Sequence, residues 1–270
     1  MVNGSHTKAF DFQSEALDSY IDSGVGVLHF KDKVFEMSVD FSLQSMLNER
    51  IKIASESPDI KVLLMKCNRS ILGEEKNDQY WRSIIGLCDE TDSHDFYGIT
   101  DPAMAVARVD SMLNQIIITM LRFNKFVISA LQGSVVTDFL GAILVADYRI
   151  ASEDTVFSFP HIRYGLPPRG GLGYILPKYV GLSKAKEILF NGEPLPATEA
   201  NRLGLVDEVV KNDEFEDKSL EIAGRYTRIP SDVLASTKKL LGFNIKELEE
   251  FFKLESELTN IYQIHLPSDS

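Results

Sequence analysis

The run Leu131-Gln132-Gly133-Ser134-Val135-Val136-Thr137-Asp138-Phe139-Leu140-Gly141-Ala142-Ile143-Leu144-Val145-Ala146-Asp147-Tyr148-Arg149-Ile150-Ala151 decides the fold, together with Phe157-Ser158-Phe159-Pro160-His161 and Gly165-Leu166-Pro167-Pro168-Arg169-Gly170-Gly171. A strand over Phe126 to Leu131 breaks at the Gln132-Gly133 turn. Thr137-Asp138 then opens an apolar helix over Phe139 to Ala146. Two short strands, Tyr148 to Ala151 and Thr155 to Phe159, follow with Glu153-Asp154 as the turn between them. Strands alternating with helices argue for parallel β-α-β units and an α/β fold.

Working outward, Val25 to Phe30 reads as a strand, with a turn at Lys31-Asp32-Lys33 and a second strand over Val34 to Val39. Ser42 to Ser55 has apolar residues at helical spacing, and Pro58-Asp59 breaks the chain before a strand over Lys61 to Cys67. Asn68 to Asp101 is polar, with Asp89, Glu90, Asp92 and Asp95 clustered, and reads as a mobile surface loop between short helices, or as a solvated face. Pro102 to Phe123 is apolar around much of its circumference and predicts a buried helix. Ser183 to Asn191 and Thr198 to Leu203 are expected as helices with Ser183 and Thr198 as caps and Gly192 and Gly204 as stops. A strand over Leu205 to Val210 leads into helices over Ser219 to Tyr226, Ser231 to Leu241 and Ile245 to Ile261.

The chain has 270 residues, 44% of them hydrophobic and 25% charged, enough for a large core. A net charge of -12 and a pI near 4.9 oppose nonspecific attraction to nucleic acid or an anionic membrane. Two cysteines, Cys67 and Cys88, give no disulfide framework, and reduced thiols in the cytoplasm are expected. No apolar run reaches the roughly 18 residues of a membrane span, and no signal peptide is visible. No histidine forms a metal-ligand spacing with Asp, Glu or Cys, so no metal is expected.

From about Gly24 to Ile261 the chain resembles the crotonase (enoyl-CoA hydratase/isomerase) superfamily. The resemblance rests on an ordered series: Lys125 to Gly133, Ala146-Asp147-Tyr148-Arg149-Ile150-Ala151, Phe157-Ser158-Phe159-Pro160, Gly165-Leu166-Pro167, Gly170-Gly171, Asn191-Gly192 and Gly204-Leu205-Val206-Asp207-Glu208-Val209. It implies a crotonase-like spiral of ββα units. It divides the chain into an N-terminal tail (1–20), a spiral core (21–205) and a C-terminal helical trimerisation module (206–270). A homotrimer or dimer of trimers is expected. The implied ligand is an acyl thioester, with coenzyme A as part of the substrate and no permanently bound cofactor. Two backbone N–H donors would hold the thioester oxygen as it gains charge, and a helix N-terminus would reinforce them.

By the family pattern, the first donor is the N–H of Glu74, after Gly73, and the second is that of Asp138, beyond the Gln132-Gly133 step. A carboxylate at 138 opposes a developing oxyanion unless it points away or is protonated. Hydratases of the family flank a water with two glutamates; the matching positions are Gly141 and His161, so paired-glutamate hydration is not expected. His161 is open to two readings, an acid/base near neutral pH or a hydrogen bond to a loop carbonyl. An aspartate that assists such a histidine in relatives cleaving β-diketones corresponds to Gly170 here. Arg169 is a candidate reader of a substrate carboxylate, or simply exposed. Lys31 and Lys33 lie where the family contacts the nucleotide, and solvated lysines are the other reading.

Two functions follow as expectations. The first is a divergent enzyme acting on an acyl-CoA, another thioester or a β-dicarbonyl through a stabilised enolate, with His161 as acid/base. The alternative is a catalytically inactive binding or assembly protein on the same fold.

Overall fold

Ser23 and Gly24, both at positive φ (50° and 87°), form the tight turn that pairs β2 (Leu17–Asp22) antiparallel with β3 (Val25–Phe30). The computed structural model describes residues 9–85 and 102–259. β2 and its partner β1 (Phe12–Gln13) lie in the stretch expected as an N-terminal tail, so the sheet begins before residue 21. The hairpin is therefore formed upstream of β3. Val34 to Val39, expected as a strand, turns into a short 3-10 helix at Glu36–Ser38 and buries Val34, Phe35, Met37 and Val39.

The remaining strands of the main sheet are β4 (Val62–Cys67), β5 (Phe126–Leu131), β7 (Tyr148–Ser152) and β10 (Glu208–Val210). The order is β1-β2-β3-β4-β5-β7-β10, parallel from β3 onward. A second sheet joins β6 (Ser134–Val136), β8 (Val156–Ser158) and β9 (Leu195–Pro196). The helices are α1 (Phe41–Glu56), α2 (Glu74–Ile85), α3 (Pro102–Arg122), α4 (Thr137–Leu144), α5 (Leu172–Asn191), α6 (Ala197–Arg202), α7 (Phe215–Tyr226), α8 (Ser231–Leu241) and α9 (Ile245–Thr259).

Alternation along the strands sets two buried faces. Val27, Val62, Leu64, Ile128, Ala130 and Ile150 meet α7 through Phe215, Ile222 and Ala223. Leu28, Leu63, Cys67, Val127 and Leu131 face the larger core beneath α1, α3, α4 and α5. The C-terminal helices are clamped to this body: Asp147 accepts from Val127 N–H and from Lys238 Nζ, each at 2.8 Å. β10 adds a parallel strand to the sheet from within the expected C-terminal module.

Several helices depart from expectation. α5 begins at Leu172 rather than Ser183 and kinks at Gly181, whose φ of 75° interrupts the helical run. α6 starts at Ala197 with no side-chain cap, so Thr198 caps nothing. α2 makes 68–85 more than a solvated face, because Ile71, Leu72, Asn77, Tyr80 and Trp81 are buried. The acidic cluster at 89–95, Cys88, and the histidines His6, His94 and His265 lie outside the described residues. Among the described residues, no helix is long and apolar enough to cross a membrane.

Candidate acyl-ligand site

Two helix N-termini start side by side. Leu72 forms a parallel bridge with Val135, and Val136 N–H donates to Leu72 O at 2.8 Å, so α2 and α4 leave adjacent extended segments. Ser70, at φ 58°, fastens the two segments: its N–H donates to Gln132 O (3.0 Å) and its Oγ accepts from Ser134 N–H (3.1 Å). Gly133 and Gly73 permit this approach, since a Cβ at Gly133 would lie 2.2 Å from Ser70 Oγ and one at Gly73 2.8 Å from Ser70 O. Glu74 opens α2 and Asp138 is the second residue of α4. First-turn N–H groups have no partner inside their helix, and Val136 at the N-cap supplies no side-chain acceptor. The arrangement suits an oxygen that gains negative charge.

The side chains at these starts are already engaged. Glu74 pairs with Arg163 at 2.5 Å near the surface. Asp138 is ion-paired to Arg169, which also reaches Asp110 at 3.1 Å and lies 4.8 Å over the Trp81 ring. Arg169 is 1% exposed, which corrects its expected role. Its two terminal nitrogens are taken by carboxylates and its Nε, though without a partner, is buried, so the guanidinium is neither exposed nor open to solvent. The same pairing answers the charge at Asp138: the carboxylate is balanced by Arg169 and turned toward it. Burial raises the Asp110 carboxyl above its usual range despite the opposing pull of Arg169. Glu255 of α9 accepts from Gly171 N–H with both oxygens at 3.1 Å, and burial pushes it up to about 8.

Gly141 and His161 stand where the resemblance placed the family's two carboxylates. At Gly141 there is no space for one: a Cβ would lie 1.8 Å from Gly170 O. Gly170 itself, at φ 65°, brings its α-carbon against Asp138 O, where its own Cβ would be 2.8 Å away. His161 is buried, with Nε2 at 3.1 Å from Leu189 O near the end of α5. Because a carbonyl only accepts, Nε2 carries the proton, and the buried Nδ1 is left without a partner. Burial lowers its pKa and keeps the imidazole neutral. His161 faces an open groove of about 490 Å³ between the 160–168 loop and α5.

A separate, partly open cavity of about 90 Å³ lies beside the start of α4. Phe30, Met65, Cys67, Leu131, Met112 and Phe139 are among its walls, and it shares no lining residue with the His161 groove. The structure thus brings Glu74, Asp138, Gly73 and Gly133 together beside an apolar cavity. Lys31 and Lys33 lie on the β3 turn: Lys31 binds Asp18 (2.6 Å) and Ser14 O (2.9 Å), and Lys33 pairs with Glu15.

Asp110 and Glu255 are absent from the sequence reading, although a signal exists for both. Each falls on an inward helical stripe, Val106-Val109-Asp110-Leu113-Ile117 and Leu248-Phe252-Glu255-Thr259, where a charge demands a partner. Trp81 carried no such mark.

Comparison with known proteins agrees with this geometry. A family model described as enoyl-CoA hydratase/isomerase matches residues 99–267. A probable enoyl-CoA hydratase of Mycobacterium leprae is 30% identical over 208 residues, 72% of this chain and 70% of that protein. One of Mycobacterium tuberculosis H37Rv is 32% identical over 160 residues, 58% and 56% of the two chains. The enoyl-CoA hydratase/isomerase structure from Cupriavidus metallidurans CH34 aligns at TM-score 0.67 with 28% identity, over 91% of this chain and 90% of that one. An enoyl-CoA hydratase from Bacillus halodurans aligns at TM-score 0.73 with 20% identity, over 92% and 94%, and shows the shared fold. The chain belongs to the enoyl-CoA hydratase/isomerase family, the crotonase superfamily.

Proposed function

We propose that this chain binds an acyl-CoA or related acyl thioester and stabilises an enolate, without hydrating it through a carboxylate pair. The observation that carries the reading is the convergence of the α2 and α4 N-termini beside an apolar cavity. The acyl chain lies in the cavity, and the Glu74 and Asp138 N–H groups face the thioester oxygen. A β-dicarbonyl compound offers the same oxygen and fits the same donors. Coenzyme A enters as part of the substrate. His161, neutral and with a free Nδ1, is the acid/base of this reading.

A second reading is favoured by one observation: the His161 groove and the apolar cavity have separate linings. On that reading the chain binds the thioester without turnover. Calorimetric titration with butyryl- and hexanoyl-CoA, followed by NMR of Cα–H exchange in D2O, separates the two. Binding with exchange that is lost in His161→Gln supports the enzyme reading. Binding without exchange supports the second, and no binding of any thioester overturns both.

A further inference from the structure

The apolar cavity contains a hydroxyl whose presence the fold does not explain. Ser129, in the middle of β5, is 3% exposed and lines the cavity. Its neighbours on the same face, Val127 and Leu131, are apolar core residues, and its lateral partner in β4 is Met65. Among the described residues, no hydrogen bond falls to its Oγ. Its Oγ is not one of the fully enclosed side-chain atoms left without a partner, so it opens onto the cavity, where a ligand can reach it. A polar atom in an otherwise apolar pocket is the usual means of fixing a ligand's orientation.

Position gives the chemistry. Phe30, Cys67 and Leu131 form the row nearest the strand ends, and Ser129 lies one pleat repeat deeper, roughly 6–7 Å along the strand. A ligand whose thioester oxygen meets the helix starts would reach Ser129 with its acyl chain. Cys67, another polar side chain of the lining, is held as a neutral thiol by burial, which pushes it up to about 12. Lys66, between Met65 and Cys67, also borders the cavity, but its ammonium is committed to Glu216. Arg149, the partner of Ser129 in β7, is likewise committed to Asp207 at 2.6 Å, so a charged chain terminus would have to break an existing ion pair.

We infer that Ser129 selects acyl chains bearing an uncharged oxygen, a hydroxyl or a ketone, over plain alkyl chains of the same length. The inference rests on the acyl-thioester reading above and names its substrate class. Calorimetric titration with hexanoyl-CoA and its 4-oxo, 5-oxo and 5-hydroxy analogues tests it. At least one analogue binds about fivefold tighter than hexanoyl-CoA, the net worth of one hydrogen bond. In Ser129→Ala the ratio collapses to about one, while Ser129→Thr, which keeps the hydroxyl, retains a preference; thermal melting verifies that both variants are folded. Equal affinity for all four ligands in the parent protein, or a preference that survives Ser129→Ala, overturns the inference alone. Absence of binding by hexanoyl-CoA and all analogues overturns it together with the acyl-thioester reading.

Discussion

Putting back a side chain at Gly141 should damage the fold rather than restore chemistry. A methyl group there would lie 1.8 Å from the Gly170 carbonyl oxygen, a backbone atom that cannot rotate away. Relief requires α4 to part from the 167–171 turn, yet that turn is held by Arg169 to Asp110 and Asp138 and by Gly171 N–H to Glu255. Overpacking typically costs 1–3 kcal/mol, and movement of a backbone tied into buried ion pairs places Gly141→Ala at about 3 kcal/mol or more. The same substitution at Gly224, inside α7 with nothing within 4 Å of the added Cβ, should instead stabilise by about 0.5–1 kcal/mol through helix propensity. At roughly 2–4 °C per kcal/mol, the two variants should differ in melting temperature by about 8 °C or more. Circular-dichroism melts of both variants and the parent measure it. A Gly141→Ala melting point within about 2 °C of the parent would refute the steric argument and reopen the position to a glutamate.

Two further outcomes follow from the buried charges. Arg169→Met leaves Asp110 and Asp138 buried without their cation and should cost about 3–5 kcal/mol, whereas adding Asp110→Asn and Asp138→Asn to it should recover part of the loss; urea midpoints of the single and triple variants decide, and a single variant as stable as the parent sinks the account. Glu255 has a folded pKa raised above its unfolded value, so its stabilisation is complete below about pH 4.5 and is lost as pH rises through about 8. His161 has the opposite sign: its lowered pKa makes stability fall as pH drops below the ordinary histidine value of 6.5. Lys125, lowered by burial to about 8, acts with the opposite sign in the same range but equally in both proteins, so the stability advantage of the parent over Glu255→Gln, whose amide oxygen still accepts from Gly171 N–H, should shrink from pH 7 to 9 in urea midpoints. A parent-minus-variant difference that grows across that range contradicts the assignment.

Much of the fold was legible because its signals are local. The strand at Phe126–Leu131, the long helix at Pro102–Arg122 and the stop at Gly192 each follow from a few neighbouring residues. The β2–β3 hairpin was hidden because Leu17–Asp22 carries two aspartates and alternates weakly, while Ser23-Gly24 is a less familiar turn pair than Asn-Gly. Arg169 was misplaced for a different reason. Pro, Arg and Gly in a turn look exposed, and its partners Asp110 and Asp138 stand 59 and 31 residues away. No window along the chain contains that contact.

The departures at the site are coupled through the geometry of one short helix. On α4, Phe139, Ala142 and Ile143 fall on the face lining the apolar cavity, at the i, i+3 and i+4 spacing of neighbours. Asp138 and Gly141, also three apart, fall on the face that meets the 167–171 turn. The glycine at 141 and the carboxylate at 138 are thus two parts of one sealed contact. Gly141 lets Gly170 approach, and Asp138 takes up the Arg169 that arrives with it. Changing one residue on that face cannot rebuild a two-carboxylate water site, because Gly170, Arg169 and Asp110 occupy its space as a unit. The opposite face is independent of this seal. It leaves the N–H groups at the start of α4 beside an apolar cavity, so the proposed thioester site does not depend on the contact that closes the other face.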